Sequence, residues 1–331
     1  VQYQSELKTA LAAVRQAAGL CRSVQSALVG ESMSKADSSP VTIADFGSQA
    51  LICRTLRTSF PADPVIAEEG AAELRTSEGS AFLHQVLAEC ARAGASGSAE
   101  EVCGWIDHGG ANAYSPRFWT LDPIDGTKGF LRCEQYAISL ALLINGQIEL
   151  AILGCPNMAF PNVAEPGVLA WAVRGGGAWQ QPLWQESVPP VSLRTAPTTN
   201  LDELRVCESV ESGHSAHDWS GLIVKDLGTT AAPVRMDSQC KYLAVARGDA
   251  DLYLRLPTKK GYAEKIWDHA GGVLLVQEAG GMVTDIRGQL CDFRHGSTLK
   301  NNEGIAATNG RVHPIVLRAI ERHRPAAPAT P

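Results

Sequence analysis

The chain has 331 residues, 45% hydrophobic and 19% charged, which is ample material for a packed core and excludes a compositionally disordered protein. A net charge of −6 argues against a surface that coats nucleic acid, and an anionic substrate would need local cations or a metal to receive it. No stretch approaches the ~20 apolar residues that span a bilayer, and the opening VQYQSELKTA has no charged-then-apolar signal pattern, so neither membrane insertion nor secretion is expected.

The chain opens at Val1 rather than Met, as a trimmed or organelle-processed form would, and a cytoplasmic or organellar location is the expectation. Nine scattered cysteines include no CxxC pair, which disfavours zinc ribbons and thioredoxin-type motifs and predicts free thiols in a reducing compartment.

Apolar residues at helical spacing without proline predict a long amphipathic helix over 3–29. SSPVTIADF then reads as a proline break and a short β-branched run, with a second helix through GSQALICRTLRTSF. PADPVIAEEG reads as a turn, a buried strand and two acidic residues at its end. Residues 91–118, mixed in Gly, Ala and Ser, read as a surface excursion with a short helix.

YAISLALLINGQIELAILGCP predicts two strands joined at Asn145-Gly146, and GVLAWAVRGGGAWQQ a second hairpin. Beyond residue 200 strands (LRVCES, APVRMD, ADLYLRL, GGMVTD) alternate with helices near SAHDWSGLIVKDLG, CKYLAVARG and WDHAGGVLLVQEAG. That alternation predicts an α/β lobe behind an α+β lobe.

Four acidic clusters fall at predicted element ends: Asp45, Glu68–Glu69, Asp122–Asp125 and Asp268. Each has a bland alternative. Asp45 and Asp268 would serve as helix caps, and the glutamate pair as solvated turn residues. WTLDPIDGTKGFLR is more specific, because it sets two carboxylates beside a helix N-terminus with a proline between them. Adjacent buried carboxylates repel unless a cation lies between them, and hard oxygen ligands point to Mg²⁺. A helix start offers free N–H groups to phosphate, so the segment predicts metal-assisted phosphoryl hydrolysis.

DPIDGT (122–127) with the later WDHAGG, VIAEEG and SPVTIADFGSQA resembles the lithium-sensitive inositol monophosphatase superfamily over roughly Leu7 to Val316. The resemblance implies a layered α-β-α-β-α sandwich, with an α+β lobe over 1–157 and an α/β lobe over 158–331. It implies Glu68, Asp122 and the Ile124 carbonyl at one Mg²⁺, and Asp122, Asp125 and Asp268 at a second. Glu69 is the less favoured glutamate. Asp45 and Thr127 match the pair that orients and deprotonates the attacking water, with a third ion nearby, and the Gly126 and Thr127 N–H groups match the holders of the scissile phosphate.

Within the superfamily, DGTKGFLR, GHSAHD and DSQCKYLAVARGDADLYLRL are most similar to the branch that removes the 3′-phosphate of 3′-phosphoadenosine 5′-phosphate (PAP). Its sulfated parent PAPS is a further substrate there. That likeness implies Glu211, His214, Ser238 and Lys241 as nucleotide contacts, with Arg255 a further cation, in a monomer that is inhibited by lithium. The alternatives are an inositol phosphate or inositol polyphosphate 1-phosphatase, and a catalytically idle PAP- or metal-binding regulator. The latter is disfavoured because every expected catalytic position holds a competent residue. Cys207 and Cys240 are read as buried small hydrophobes ahead of a redox role.

Overall fold

A computed structural model describes residues 2–30, 39–210, 217–259 and 261–325. Helix α1 (Gln4–Gly30) buries Ala10, Ala13, Val14, Ala17, Cys21 and Val24 at helical spacing. Its small residues let α2 (Ser39–Ser59) pack closely against it. The β-branched run therefore belongs to α2 and not to a strand. Pro40 sits in the first turn, where its missing N–H breaks no helical bond. Asp45 lies inside α2 and is not its cap.

One mixed sheet of seven strands carries β1 (Val65–Ala67), β2 (Arg117–Asp125), β3 (Ala137–Ile144), β4 (Gln147–Cys155), β5 (Val168–Val173), β6 (Gly177–Pro182) and β7 (Val191–Ser192) in that spatial order. Only β1 and β2 run parallel. The predicted β3–β4 hairpin turns at Asn145 and Gly146, both in the left-handed region (φ 52° and 79°), as a two-residue loop requires.

The chain enters a second sheet with β8 (Val206–Glu208), followed by β9 (Val234–Arg235), β10 (Leu252–Arg255), β11 (Met282–Thr284) and β12 (Ile305–Thr308). Their spatial order is β11-β12-β10-β8-β9. Helices α7 (Cys240–Arg247) and α8 (Ala270–Glu278) lie between the sheets, and α6 (His217–Leu227) and α9 (His313–Arg322) cover the far side. The predicted α-β-α-β-α layering is the observed architecture.

Alternation along the strands builds three cores. Trp119, Leu121, Leu140, Leu142 and Ile152 face α1 and α2, while Phe118, Ala141, Ala151, Ala170 and Ala172 face α7 and α8. A third core joins Val206, Leu252 and Leu254 to Ile223, Val316 and Ile320. The alanine-lined face lets α8 approach closely. A Cβ on Gly271 would lie 2.4 Å from Ser139 Oγ, and one on Gly272 would lie 2.2 Å from the Tyr242 ring. The AGG of the WDHAGG motif is thus a packing requirement.

Segment 91–118 is more ordered than its composition suggested. Ser98 and Glu101 form a reciprocal capping box at the start of α4 (Ala99–Asp107), which buries Val102, Cys103 and Ile106 against α2. Helix α3 (Ser80–Arg92), strand β12 and helix α9 were not singled out in the sequence.

Candidate active site

Strict alternation would send Asp122 and Asp125, three residues apart, to opposite faces of β2. Instead Asp122 pairs with Ser139 and Asp125 with Ala137, so three steps on β2 match two on β3. This bulge at Pro123-Ile124 puts both carboxylates on one face, and it is where a strand tolerates a proline. Ile124 turns into the opposite core, and Ser48 Oγ–H donates to the Pro123 carbonyl at 3.0 Å.

Helix α2 supports the site with residues at helical spacing. Besides Asp45 and Ser48, Gln49 Nε2–H donates to the Glu69 and Ile106 carbonyls, while its Oε1 accepts from the Glu69 N–H. Gln49 therefore pins the end of β1, where Glu68 and Glu69 emerge.

A cavity of about 360 Å³ collects Glu68, Asp122, Ile124, Asp125 and Asp268 with Gly126, Thr127, Ser238, Lys241 and Arg255. Asp45 lies buried behind this lining, and its carboxyl is held well above its usual range by burial and by the Glu69 and Glu68 charges. Burial and the charges of Glu68, Asp125 and Asp268 do the same to Asp122, which is 1% exposed. Burial and neighbouring carboxylates push Glu68 and Asp268 up to about 7. Glu68 opens to solvent at the mouth, where water screens its charge most. Asp125 is raised by burial, with Lys241 and the Gln239 N–H (2.5 Å) opposing.

Asp122 Oδ1 is buried without a hydrogen-bond partner among the described residues. A buried oxygen with no donor, amid carboxylates that raise one another's pKa, is a donor set suited to a hard divalent cation. The residues present fit magnesium.

The opposite wall comes from residues around α7 and the second sheet. Gly126 (φ 90°) begins α5 (Thr127–Leu131), and a Cβ there would lie 2.9 Å from Ser238 Cβ. Ser238 itself holds φ 65°, unusual for a non-glycine, in the turn that starts α7. Lys241 is 2% exposed, with its ammonium 5.2 Å from the Tyr253 ring centre. Burial lowers its pKa while Asp125 opposes that shift. Arg255 ends β10 beside Glu264.

Of the residues singled out in the sequence, Glu68, Asp122, Ile124, Asp125, Gly126, Thr127, Ser238, Lys241, Arg255 and Asp268 share this cavity. Glu211 and His214 lie outside the described residues. Asp268 precedes the N-cap of α8, which is His269, so it faces the acidic set and does not cap the helix. Cys207 and Cys240 are buried, and burial pushes the Cys207 thiol up to about 12.

Sequence reasoning missed Gln49, Gln239, Tyr242, Tyr253, Glu264 and His269. For Gln49 a signal existed, four residues after Asp45 on one helix face. For Gln239, whose Oε1 accepts from Ser139 Oγ–H and the Gly272 N–H, no local pattern exists.

The chain matches the inositol monophosphatase family over residues 2–324. It belongs to that family. Among curated inositol monophosphatase relatives, a 3′(2′),5′-bisphosphate nucleotidase of Schizosaccharomyces pombe is 43% identical over 96% of each chain. One from Emericella nidulans is 40% identical over 97% of this chain and 99% of the other. An inositol monophosphatase from Anabaena superposes with a TM-score of 0.65 at 20% identity, covering 98% of this chain and 99% of that one, and shares the fold.

Proposed function

We propose that this chain is a divalent-cation-dependent phosphomonoesterase that hydrolyses the 3′-phosphate of PAP to give AMP and phosphate, with PAPS as a further substrate. The observation that carries the reading is the union, in one cavity, of a cation-seeking carboxylate set and the cations Lys241 and Arg255. A doubly phosphorylated nucleotide needs both. Relatives named for this substrate, at 38–43% identity along nearly the whole chain, support the nucleotide over an inositol phosphate.

Glu68, Asp122, the Ile124 carbonyl, Asp125 and Asp268 are the proposed holders of two or three magnesium ions, with Glu69 the less favoured glutamate. Bound there, magnesium would lower the pKa of water and neutralise charge building on the phosphoryl oxygens. Asp45 and Thr127 are the proposed pair that orients the attacking water and takes its proton. The water oxygen bonds to phosphorus as the bond to the ribose 3′-oxygen breaks, and that oxygen leaves as an alcohol, taking a proton from solvent water. The Gly126 and Thr127 N–H groups would hold the scissile phosphate, and Ser238, Lys241 and Arg255 the remote one. Glu211 and His214 stay in the proposal as nucleotide contacts. Among the described residues the cavity lining holds no cysteine, and both ring nitrogens of His269 are engaged, so water is the favoured nucleophile.

The test is phosphate release from PAP, 3′-AMP, 5′-AMP and inositol 1-phosphate, with and without Mg²⁺. Mg²⁺-dependent release from PAP with 5′-AMP untouched is expected. Preference for inositol 1-phosphate would overturn the nucleotide assignment and leave the carboxylate site standing.

A further inference from the structure

Behind the cationic wall, a row of polar side chains is engaged end to end. Arg255 Nε lies 3.3 Å from Glu264 Oε1, and its Nη2 lies 3.3 Å from Glu264 Oε2. Glu264 is 4% exposed, and its Oε2 also meets His269 Nε2 at 3.3 Å. His269 Nδ1 in turn lies 2.8 Å from the Tyr242 hydroxyl. Tyr242 packs edge-on against Tyr253 at 5.1 Å, the same ring that underlies the Lys241 ammonium.

The polarity of this row follows from its chemistry. A carboxylate only accepts and a guanidinium only donates, so His269 Nε2–H donates to Glu264. That leaves Nδ1 of a neutral imidazole to accept the Tyr242 O–H. Glu264 thus receives Arg255 from one side and His269 from the other.

Glu264, Asp268 and His269 have ligand atoms within 4.8 Å of one another, which would suit a metal. Glu264 already faces the fixed cation Arg255, and the His269 nitrogen nearest it carries a proton. The cluster is therefore better explained as a hydrogen-bonded support than as a further cation cage.

We propose that Glu264, backed by His269 and Tyr242, is a positioning residue that sets specificity for a doubly phosphorylated substrate by fixing the guanidinium plane of Arg255. With Nε and Nη2 committed to Glu264 and the Tyr262 hydroxyl also hydrogen-bonded to the guanidinium, the N–H groups that remain can take an anionic group remote from the scissile phosphate. An unsupported arginine would have to lose its rotamer freedom on each binding event, which weakens binding without touching the chemical step. This inference rests on the 3′-phosphatase reading given above.

The experiment compares kcat and KM of wild type, Glu264→Gln and Tyr242→Phe on PAP and on 3′-AMP, which lacks the second phosphate, at saturating Mg²⁺. Glu264→Gln should raise KM for PAP roughly tenfold, the scale of one charge-assisted contact, while kcat and the KM for 3′-AMP stay within about twofold. Tyr242→Phe should shift KM for PAP in the same direction by roughly twofold to threefold, since it removes only the outermost neutral hydrogen bond. Equal losses on both substrates, or a loss confined to kcat, would overturn the assignment. So would a lower KM for PAP, because Glu264 would then be opposing the substrate's charge. Should Glu264→Gln fail to fold, Tyr242→Phe decides, and no preferential change on PAP counts against the proposal. A wild type inert toward PAP overturns the nucleotidase reading and this inference together, whereas an active wild type with non-discriminating variants overturns this inference alone.

Discussion

Removing one acidic side chain should stabilise the cation-free protein, and Asp268→Asn shows why. Asp268 is raised from 3.8 to about 7, chiefly by burial and then by Asp125, with the fixed charge of Arg255 opposing. A carboxyl whose folded pKa lies above its unfolded value keeps its proton longer in the folded state. Below about pH 4 both states are protonated and no penalty exists. The penalty grows as pH rises between the two values and is complete above about pH 7. A shift of ~3 pH units at 1.36 kcal/mol each gives about 4 kcal/mol as a ceiling. Water in the cavity and relaxation of neighbours reduce this to about 2 kcal/mol. For a chain of 331 residues that corresponds to a rise in Tm of about 3 °C. The assay is thermal unfolding in EDTA at pH 8 and pH 4.5. The variant should melt higher at pH 8, with the gap cut to about a quarter of that at pH 4.5. Added Mg²⁺ should raise the wild-type Tm by mass action and the variant's much less. An equal gap at both pH values, or none in EDTA at pH 8, would refute the electrostatic account.

Asp122→Asn should reduce Mg²⁺-dependent phosphate release by at least about 10³-fold with a native circular dichroism spectrum, and an unaltered rate would remove Asp122 from the chemistry. Gly272→Ala, whose new methyl would sit 2.2 Å from the Tyr242 ring, should lower stability by about 2–3 kcal/mol. Urea denaturation checks this, and an unchanged midpoint would contradict the close approach of α7 and α8. Gln49→Leu strips partners from the Glu69 peptide and the Ile106 carbonyl and should cost about 2–3 kcal/mol. Hydrogen exchange at the Glu69 amide should accelerate, and unchanged protection there would show that Gln49 does not hold that peptide.

Local chemistry made much of the protein readable in advance. The α1 periodicity, the Asn145-Gly146 turn and the glycine-bent β5–β6 hairpin each depend on residues adjacent in the chain. The acidic clusters were equally visible, but caps and turns are the ordinary use of single carboxylates, and only the Asp122-Pro-Ile-Asp125-Gly arrangement was specific. The second helix starts at Ser39, ahead of the GSQALICRTLRTSF pattern, because β-branching is a weak preference that packing overrides, and α2 buries Ile43, Ala44 and Phe46 against α1 and the sheet.

By itself the sequence determined which residues carry charge, where turns must fall and which carboxylates would suit a cation. Tertiary structure alone decided that Asp122 and Asp125 share a face, through an extra residue in β2. It also decided that the Lys241 charge acts on Asp125, and that Glu264 joins Arg255, through His269, to Tyr242. Those contacts link segments far apart in the chain. Their partners are selected by how whole layers pack, and no local periodicity encodes that choice.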